Sequence, residues 1–136
     1  MLVGANIVIV AHGIDIVDVT RVSTMLEKHG QKFIDRCFTQ IEQDAANVQS
    51  LGMRAERFAA RYAAKEAVLK ALGTGLAGGI EWIDIGVSRE DGPPMVTLQG
   101  RAKEIAEKQG ITEWRLSLSH AGGMAMASVI GIGGLP

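Results

Sequence analysis

The sequence predicts an α+β fold: a single domain, 1–136, in which helices pack on an antiparallel sheet. Helix-forming stretches cluster in the first half of the chain and strand-like alternation dominates the second. A length of 136 residues allows one hydrophobic core and is too short for two. Hydrophobic residues make up 47% and charged residues 21%, which excludes a disordered chain. The formal net charge of −1 excludes a general nucleic-acid-binding surface, so any electrostatic recognition must be local.

The elements follow in order. Ile7 to Val19 is apolar and β-branched, broken only by Ala11, His12, Gly13, Asp15 and Asp18, and reads as a buried strand running into a helix. Asp18 and Thr20 are both placed to cap that helix. A second helical stretch covers Gln31 to Cys37, and Thr39 followed by Glu42 has capping-box spacing for a third. Met53 to Leu72, rich in Ala, Arg, Lys, Glu and Leu, is the strongest helix, stopped by Gly73. Trp82 to Val87 reads as a strand, Asp91-Gly92-Pro93-Pro94 as a turn and Met95 to Leu98 as the partner strand. Arg101 to Gln109 forms a short helix closed by Gly110. Trp114 to Ser119 and Met124 to Ile130 are strands joined at His120-Ala121-Gly122-Gly123, and a frayed tail is expected from Gly131 to Pro136.

The apolar opening has no preceding Lys or Arg and is followed at once by His12 and Asp15, so it reads as a strand rather than a signal segment. No other stretch approaches the ~20 apolar residues of a membrane helix. Cys37 is the only cysteine, which excludes an intrachain disulfide and fits a cytoplasmic setting.

Three segments carry chemistry. On the long helix, residues sort into rows at spacings of three and four. Phe58, Tyr62, Leu69 and Leu72 form an apolar row with Lys65 in its gap; Ala60, Ala64, Ala67 and Ala71 form a row that another element can approach closely. The third row, Ala59, Ala63, Glu66, Lys70 and Gly73, sets a carboxylate and an ammonium one turn apart, the spacing of an ordinary surface ion pair. The stem of Lys65 is expected to pack among apolar groups while its tip finds water or another partner. Gly73-Thr74-Gly75 at the helix end suits either a simple C-cap or backbone contact with an anion, and no Walker pattern is present. Asp15 sits inside an apolar strand, so its carboxylate needs partners. With Glu66 it would supply two hard oxygen ligands suited to magnesium. Ser119 and His120 fall at a strand end, a frequent place for functional side chains.

Taken together, Gly13-Ile14-Asp15-Ile16-Val17-Asp18 with Arg21, the run from Arg61 through Lys65-Glu66 and Lys70 to Gly75, and Ser117 to Ala127 resemble the bacterial holo-acyl-carrier-protein synthase group of phosphopantetheinyl transferases. The resemblance spans roughly Val8 to Ile130 in order and spacing. Tyr62 stands where the short bacterial type usually has Phe, and two departures are visible: Ala11 replaces the first glycine of a G-x-G-x-D pattern, with His12 between, and the start carries several more residues than short members. Met1 to Asn6 reads as an N-terminal extension.

The resemblance implies magnesium held by Asp15 and Glu66, with Lys70 and Gly73 near the phosphates of coenzyme A. Arg61, Lys65, Ser119 and His120 match positions of the coenzyme A site, and Pro94 a proline beside the adenine. Arg21 matches a basic position that contacts the acidic acyl carrier protein. Members of the group are typically homotrimers with active sites between subunits. The implied reaction moves the 4′-phosphopantetheine arm of coenzyme A onto a carrier serine, and the serine proton passes to Glu66 or, through a water, to Asp15. A broader transferase acting on peptide-synthetase or polyketide carrier domains uses the same chemistry, and a non-catalytic carrier-binding scaffold is the alternative of a different kind.

Overall fold

A computed structural model describes residues 6–89 and 91–134. Strand β1 (Ile7–Asp18) leads directly into helix α1 (Val19–His29), and the Asp18 carboxylate accepts the Thr20 N–H at 2.9 Å as the N-cap. Helices α2 (Gln31–Cys37) and α3 (Gln40–Ala46) follow, the second opening on a complete Thr39–Glu42 capping box. Helix α4 (Leu51–Leu72) begins two residues earlier than its pattern suggests, because the Ser50 hydroxyl caps it. Then come β2 (Ile85–Ser88), β3 (Met95–Leu98), α5 (Gly100–Lys108), β4 (Glu113–Ala121) and β5 (Met124–Gly134).

The main sheet is antiparallel with order β1-β5-β4, and β2 and β3 form a separate hairpin. Helix α4 lies across one face of the main sheet. Along β1, Gly13, Asp15 and Val17 point to that helix, and from β5 Ala125, Ala127 and Val129 are buried beneath it. The alanine row is what admits the strand: Ala64 and Ala67 are wholly buried, and a Cβ on Gly13 would overlap the Ala67 carbonyl oxygen. The opposite sheet face is open, with Ile14, Ile16 and Met126 at 49%, 56% and 40% exposure.

Three expectations change. Trp82–Asp84 is a 3-10 turn, not the start of a strand. Its carbonyls are claimed from elsewhere: Trp82 O accepts the Lys65 ammonium and Ile83 O the Gln99 amide, so the ladder begins only at Ile85. The last hairpin is tighter than expected, with Gly122 and Gly123 alone as the turn, both at positive φ, which extends β4 beyond Ser119 through His120 and Ala121. The expected frayed tail is instead strand through Gly134, where Gly133 pairs with Val8 and Gly134 with Ile7. Residues 1–5 of the suggested extension, and the last two of the tail, lie outside the described residues.

Candidate functional site

Strand β1 and helix α4 meet at a cluster of charge. The Lys70 ammonium donates to the Asp15 carboxylate at 2.9 Å and to the Ile14 carbonyl at 3.1 Å. One-turn spacing named Glu66 as the partner of Lys70; the closer partner comes from β1, because Gly13 draws the strand hard against the helix. Asp15 is 12% exposed and Lys70 56%, so the pair sits at a mouth rather than in the core. Burial pushes the Glu66 carboxyl above the usual carboxylate range, and the neighbouring Asp15 charge pushes it further. The Tyr62 hydroxyl, Lys70 and Arg21 draw it partly back. Arg21, from the first turn of α1, therefore shares the field of this centre.

A hard carboxylate whose proton affinity is raised by burial and by a second carboxylate beside it is part of a donor set that a divalent cation would relieve. Among the described residues no group of three or more His, Cys, Asp or Glu converges, so waters and substrate oxygens would complete the shell. That fits magnesium rather than a zinc cage.

Gly73 ends α4 in the left-handed region, φ 78°, and its N–H is spent on the cap, donating to the Leu69 and Lys70 carbonyls. What it offers an approaching phosphate is room: a Cβ there would meet no atom within 4 Å.

Arg61, Pro94, Ser119 and His120 come together elsewhere, around a groove of about 800 Å³ between α4, the β2–β3 hairpin and β4. Arg57 and Arg89 join them there, two cations that the sequence reading missed. Arg57 donates to the Ala45 carbonyl, Arg61 to the Arg57 carbonyl and Arg89 to the Gly92 carbonyl, and none of the three forms a salt bridge among the described residues. The Arg61 Nε is buried with no hydrogen-bond partner. Burial, with Arg57 and Arg89 adding to it, lowers the proton affinity of Arg61, opposed by the Glu42 carboxylate. A concave cluster of three guanidiniums, with Glu56 as the one carboxylate in the lining, is suited to phosphate.

Lys65 is held differently from Arg61, Ser119 and His120, with which the resemblance groups it. It is fully buried, and its ammonium donates to Glu42 at 2.8 Å and to the Trp82 and Ile85 carbonyls. All three protons are used, so the side chain does not touch the groove. Burial lowers its proton affinity and Glu42 opposes that. The apolar row had announced this fate for the stem, but not its partner. Glu42 was visible in the sequence only as a capping-box residue.

The site residues thus fall into two groups. Asp15, Glu66 and Lys70 form one; Arg61, Pro94, Ser119 and His120 line the other, and the groove lining includes none of the first group. Five helical positions separate Arg61 from Glu66, about 7.5 Å along the axis and roughly 140° around it.

An α+β domain carrying two adjoining carboxylates beside a lysine, together with an arginine-lined groove, has the residue types that a phosphate-rich ligand calls for. The chain belongs to the 4′-phosphopantetheinyl transferase superfamily, whose family model matches residues 11–126, and its relatives place it among the holo-[acyl-carrier-protein] synthase enzymes. It is 43% identical over 123 residues to the holo-[acyl-carrier-protein] synthase of Koribacter versatilis, covering 90% of this chain and 97% of that one. Among solved structures it is similar to the acyl carrier protein synthase of Plasmodium yoelii with ADP bound, at a TM-score of 0.83 and 32% identity over 94% of this chain and 98% of that one. It is also similar to the Helicobacter pylori holo-[acyl-carrier-protein] synthase in complex with coenzyme A, at a TM-score of 0.76 and 29% identity over 88% and 98%.

Proposed function

We propose that this enzyme transfers the 4′-phosphopantetheine arm of coenzyme A to a serine of apo acyl carrier protein, depends on magnesium, releases adenosine 3′,5′-bisphosphate and so supports fatty acid synthesis. The observation that carries the reading is the Asp15–Glu66–Lys70 centre, two adjoining carboxylates with an exposed ammonium at their edge. In the reaction the serine hydroxyl oxygen forms a bond to the β-phosphorus while the pyrophosphate P–O bond breaks and the bisphosphate leaves. Magnesium, when bound by Asp15 and Glu66, would offset the charge growing on the phosphate oxygens. Lys70 stabilises the leaving phosphate, and the serine proton passes to Glu66 or, through a water, to Asp15. Arg21 presents positive charge to the acidic carrier beside this centre.

The separation of the two groups of site residues supports an assembly in which one subunit's carboxylate centre faces another's groove. The exposed sheet face with Ile14, Ile16 and Met126 supplies an apolar surface for it, and a homotrimer is the proposed state. Among the described residues no helix is long and apolar enough to cross a membrane. The free thiol of buried Cys37 supports a cytoplasmic location.

The test is incubation with coenzyme A, magnesium and apo acyl carrier protein, read by intact mass of the carrier. Addition of one phosphopantetheine group is expected; an unmodified carrier refutes the proposal.

A further inference from the structure

Glu42 and Lys65 are the largest charged side chains in the interior, both wholly buried, and neither belongs to the reacting centre or the groove lining. One Glu42 oxygen accepts the Thr39 N–H and the Lys65 ammonium, each at 2.8 Å, and the other accepts the Val87 N–H at 2.9 Å. Lys65 spends its remaining protons on the carbonyls of Trp82 and Ile85. Three elements are therefore tied through one ion pair: α3 by its capping box, α4 by Lys65, and the β2–β3 hairpin by the Val87 amide and the Ile85 carbonyl.

A buried ion pair typically brings little net stability over an apolar pair of the same volume, so stability alone does not call for it. Directional bonding does something apolar packing cannot, which is to fix the distance and angle between the elements it joins. Those elements are the walls of the arginine groove. Helix α4 contributes Arg57, Ala60 and Arg61; the hairpin and its turn contribute Val87, Arg89 and Pro94. Guanidiniums stand on both walls and repel one another, which tends to spread the groove before an anion enters it. The Glu42 bridge links Lys65 of one wall to Val87 of the other and opposes that spreading.

We propose that Glu42 and Lys65 are positioning residues for the donor substrate, holding the β2–β3 hairpin at the distance from α4 that the nucleotide end of coenzyme A requires. This rests on the reading of the groove as the donor site. A chain that neither binds coenzyme A nor modifies carrier protein in its native form fails that reading; the present inference fails only in a chain that does both.

The variant Glu42→Gln keeps the size of the side chain but removes its charge and one of its two acceptor oxygens. A positioning role predicts that KM for coenzyme A rises about tenfold, a free-energy change of ~1.4 kcal/mol. In the same variant, KM for carrier protein and kcat at saturating coenzyme A stay within roughly twofold, a margin under ~0.5 kcal/mol. A merely structural role predicts the reverse split: fewer folded molecules, hence lower apparent kcat with unchanged KM. Glu42→Asp, which keeps the charge but falls short of Val87, should show the same rise in KM for coenzyme A. Wild-type KM for coenzyme A in folded Glu42→Gln or Glu42→Asp overturns the proposal.

Amide hydrogen exchange of the native enzyme tests it without substitution. If the pair sets the groove in advance, the Val87 amide is strongly protected before coenzyme A is added and changes little afterwards. Free exchange at Val87 that slows only when coenzyme A binds would mean the ligand, not the ion pair, places the hairpin.

Discussion

Helix α4 carries two lysine–carboxylate pairs five positions apart, and they behave as opposites. Lys65 and Glu42 are both at 0% exposure and every proton and most acceptor capacity is used internally. Lys70 and Asp15 stand at 56% and 12%, with Glu66 beside them, its proton affinity raised by burial and by Asp15. A count of charges treats the pairs alike. The difference teaches that a satisfied, dry pair serves the architecture, whereas an open, incompletely balanced one is left free for the proposed metal and phosphate.

The comparison breaks most visibly at the carboxylates. Asp15→Ala and Glu66→Ala should each lower kcat by roughly 10³-fold, as loss of a principal charge-stabilising contact does. Thermal melts should show both variants still folded, and excess chelator should give the native enzyme a comparable loss. Full activity in chelator would remove the metal role from the open pair.

Removing one lysine from each pair sharpens the contrast. Lys65→Ala strands the Glu42 carboxylate in the core and should cost ~3–5 kcal/mol of stability, measured by denaturant unfolding. Lys70→Ala should lower the melting temperature far less than Lys65→Ala does, because the Lys70 ammonium is more than half exposed. Its kcat should fall by about 10²-fold, through lost transition-state stabilisation. Lys65→Met, with an unbranched apolar stem, should retain more kcat per folded molecule than Lys70→Met. Equal kcat losses with unaltered stability would erase the distinction between the pairs.

A smaller effect is expected where α1 borders the open pair. Arg21→Glu should raise KM for carrier protein about tenfold while sparing KM for coenzyme A, and the native interaction should weaken with salt. An unchanged carrier KM would confine Arg21 to its influence on Glu66.

The smallest concerns stability and has the less familiar sign. The folded state raises the Glu66 pKa, chiefly by burial and then by Asp15, so it binds that proton more tightly than the unfolded chain does. Stability from this group is present below the unfolded carboxylate range and is lost as pH rises through the folded pKa. Glu66→Gln should therefore melt slightly higher than the native enzyme at neutral pH in chelator. Magnesium should raise the native melting temperature and leave the variant's where it was.

How far the sequence alone could lead depended on how local each determinant is. Asp18, the Thr39–Glu42 box and Gly73 act within a few residues, and each marked its helix boundary correctly. Trp82–Asp84 escaped because its carbonyls bond side chains 17 and 16 residues away, which no window of alternation records. At the site, a carboxylate in an apolar strand was enough to single out Asp15. Its pairing with Lys70 was hidden 55 positions away, behind the more obvious Glu66. Motif order also gave no sign that Arg61 and Glu66, so close in sequence, serve different faces of α4. Arg57 and Arg89 carry no motif and became visible only once the hairpin was folded against the helix.

Gly13 has a consequence beyond packing. Its hydrogen is the only substituent that fits where β1 touches the Ala67 carbonyl and the Ala71 amide of α4. Asp15 lies two residues along that strand and Glu66 one residue before Ala67, so the gap between their carboxylates is ruled by a contact of main chain on main chain. Ion selectivity in the proposed site would then depend in part on the backbone. Magnesium demands near-ideal octahedral geometry at short metal–oxygen distances, whereas calcium tolerates longer and more irregular shells. Any side chain at position 13 would lever the strand outward and, in the proposed site, loosen the spacing of the two carboxylates that would hold the ion.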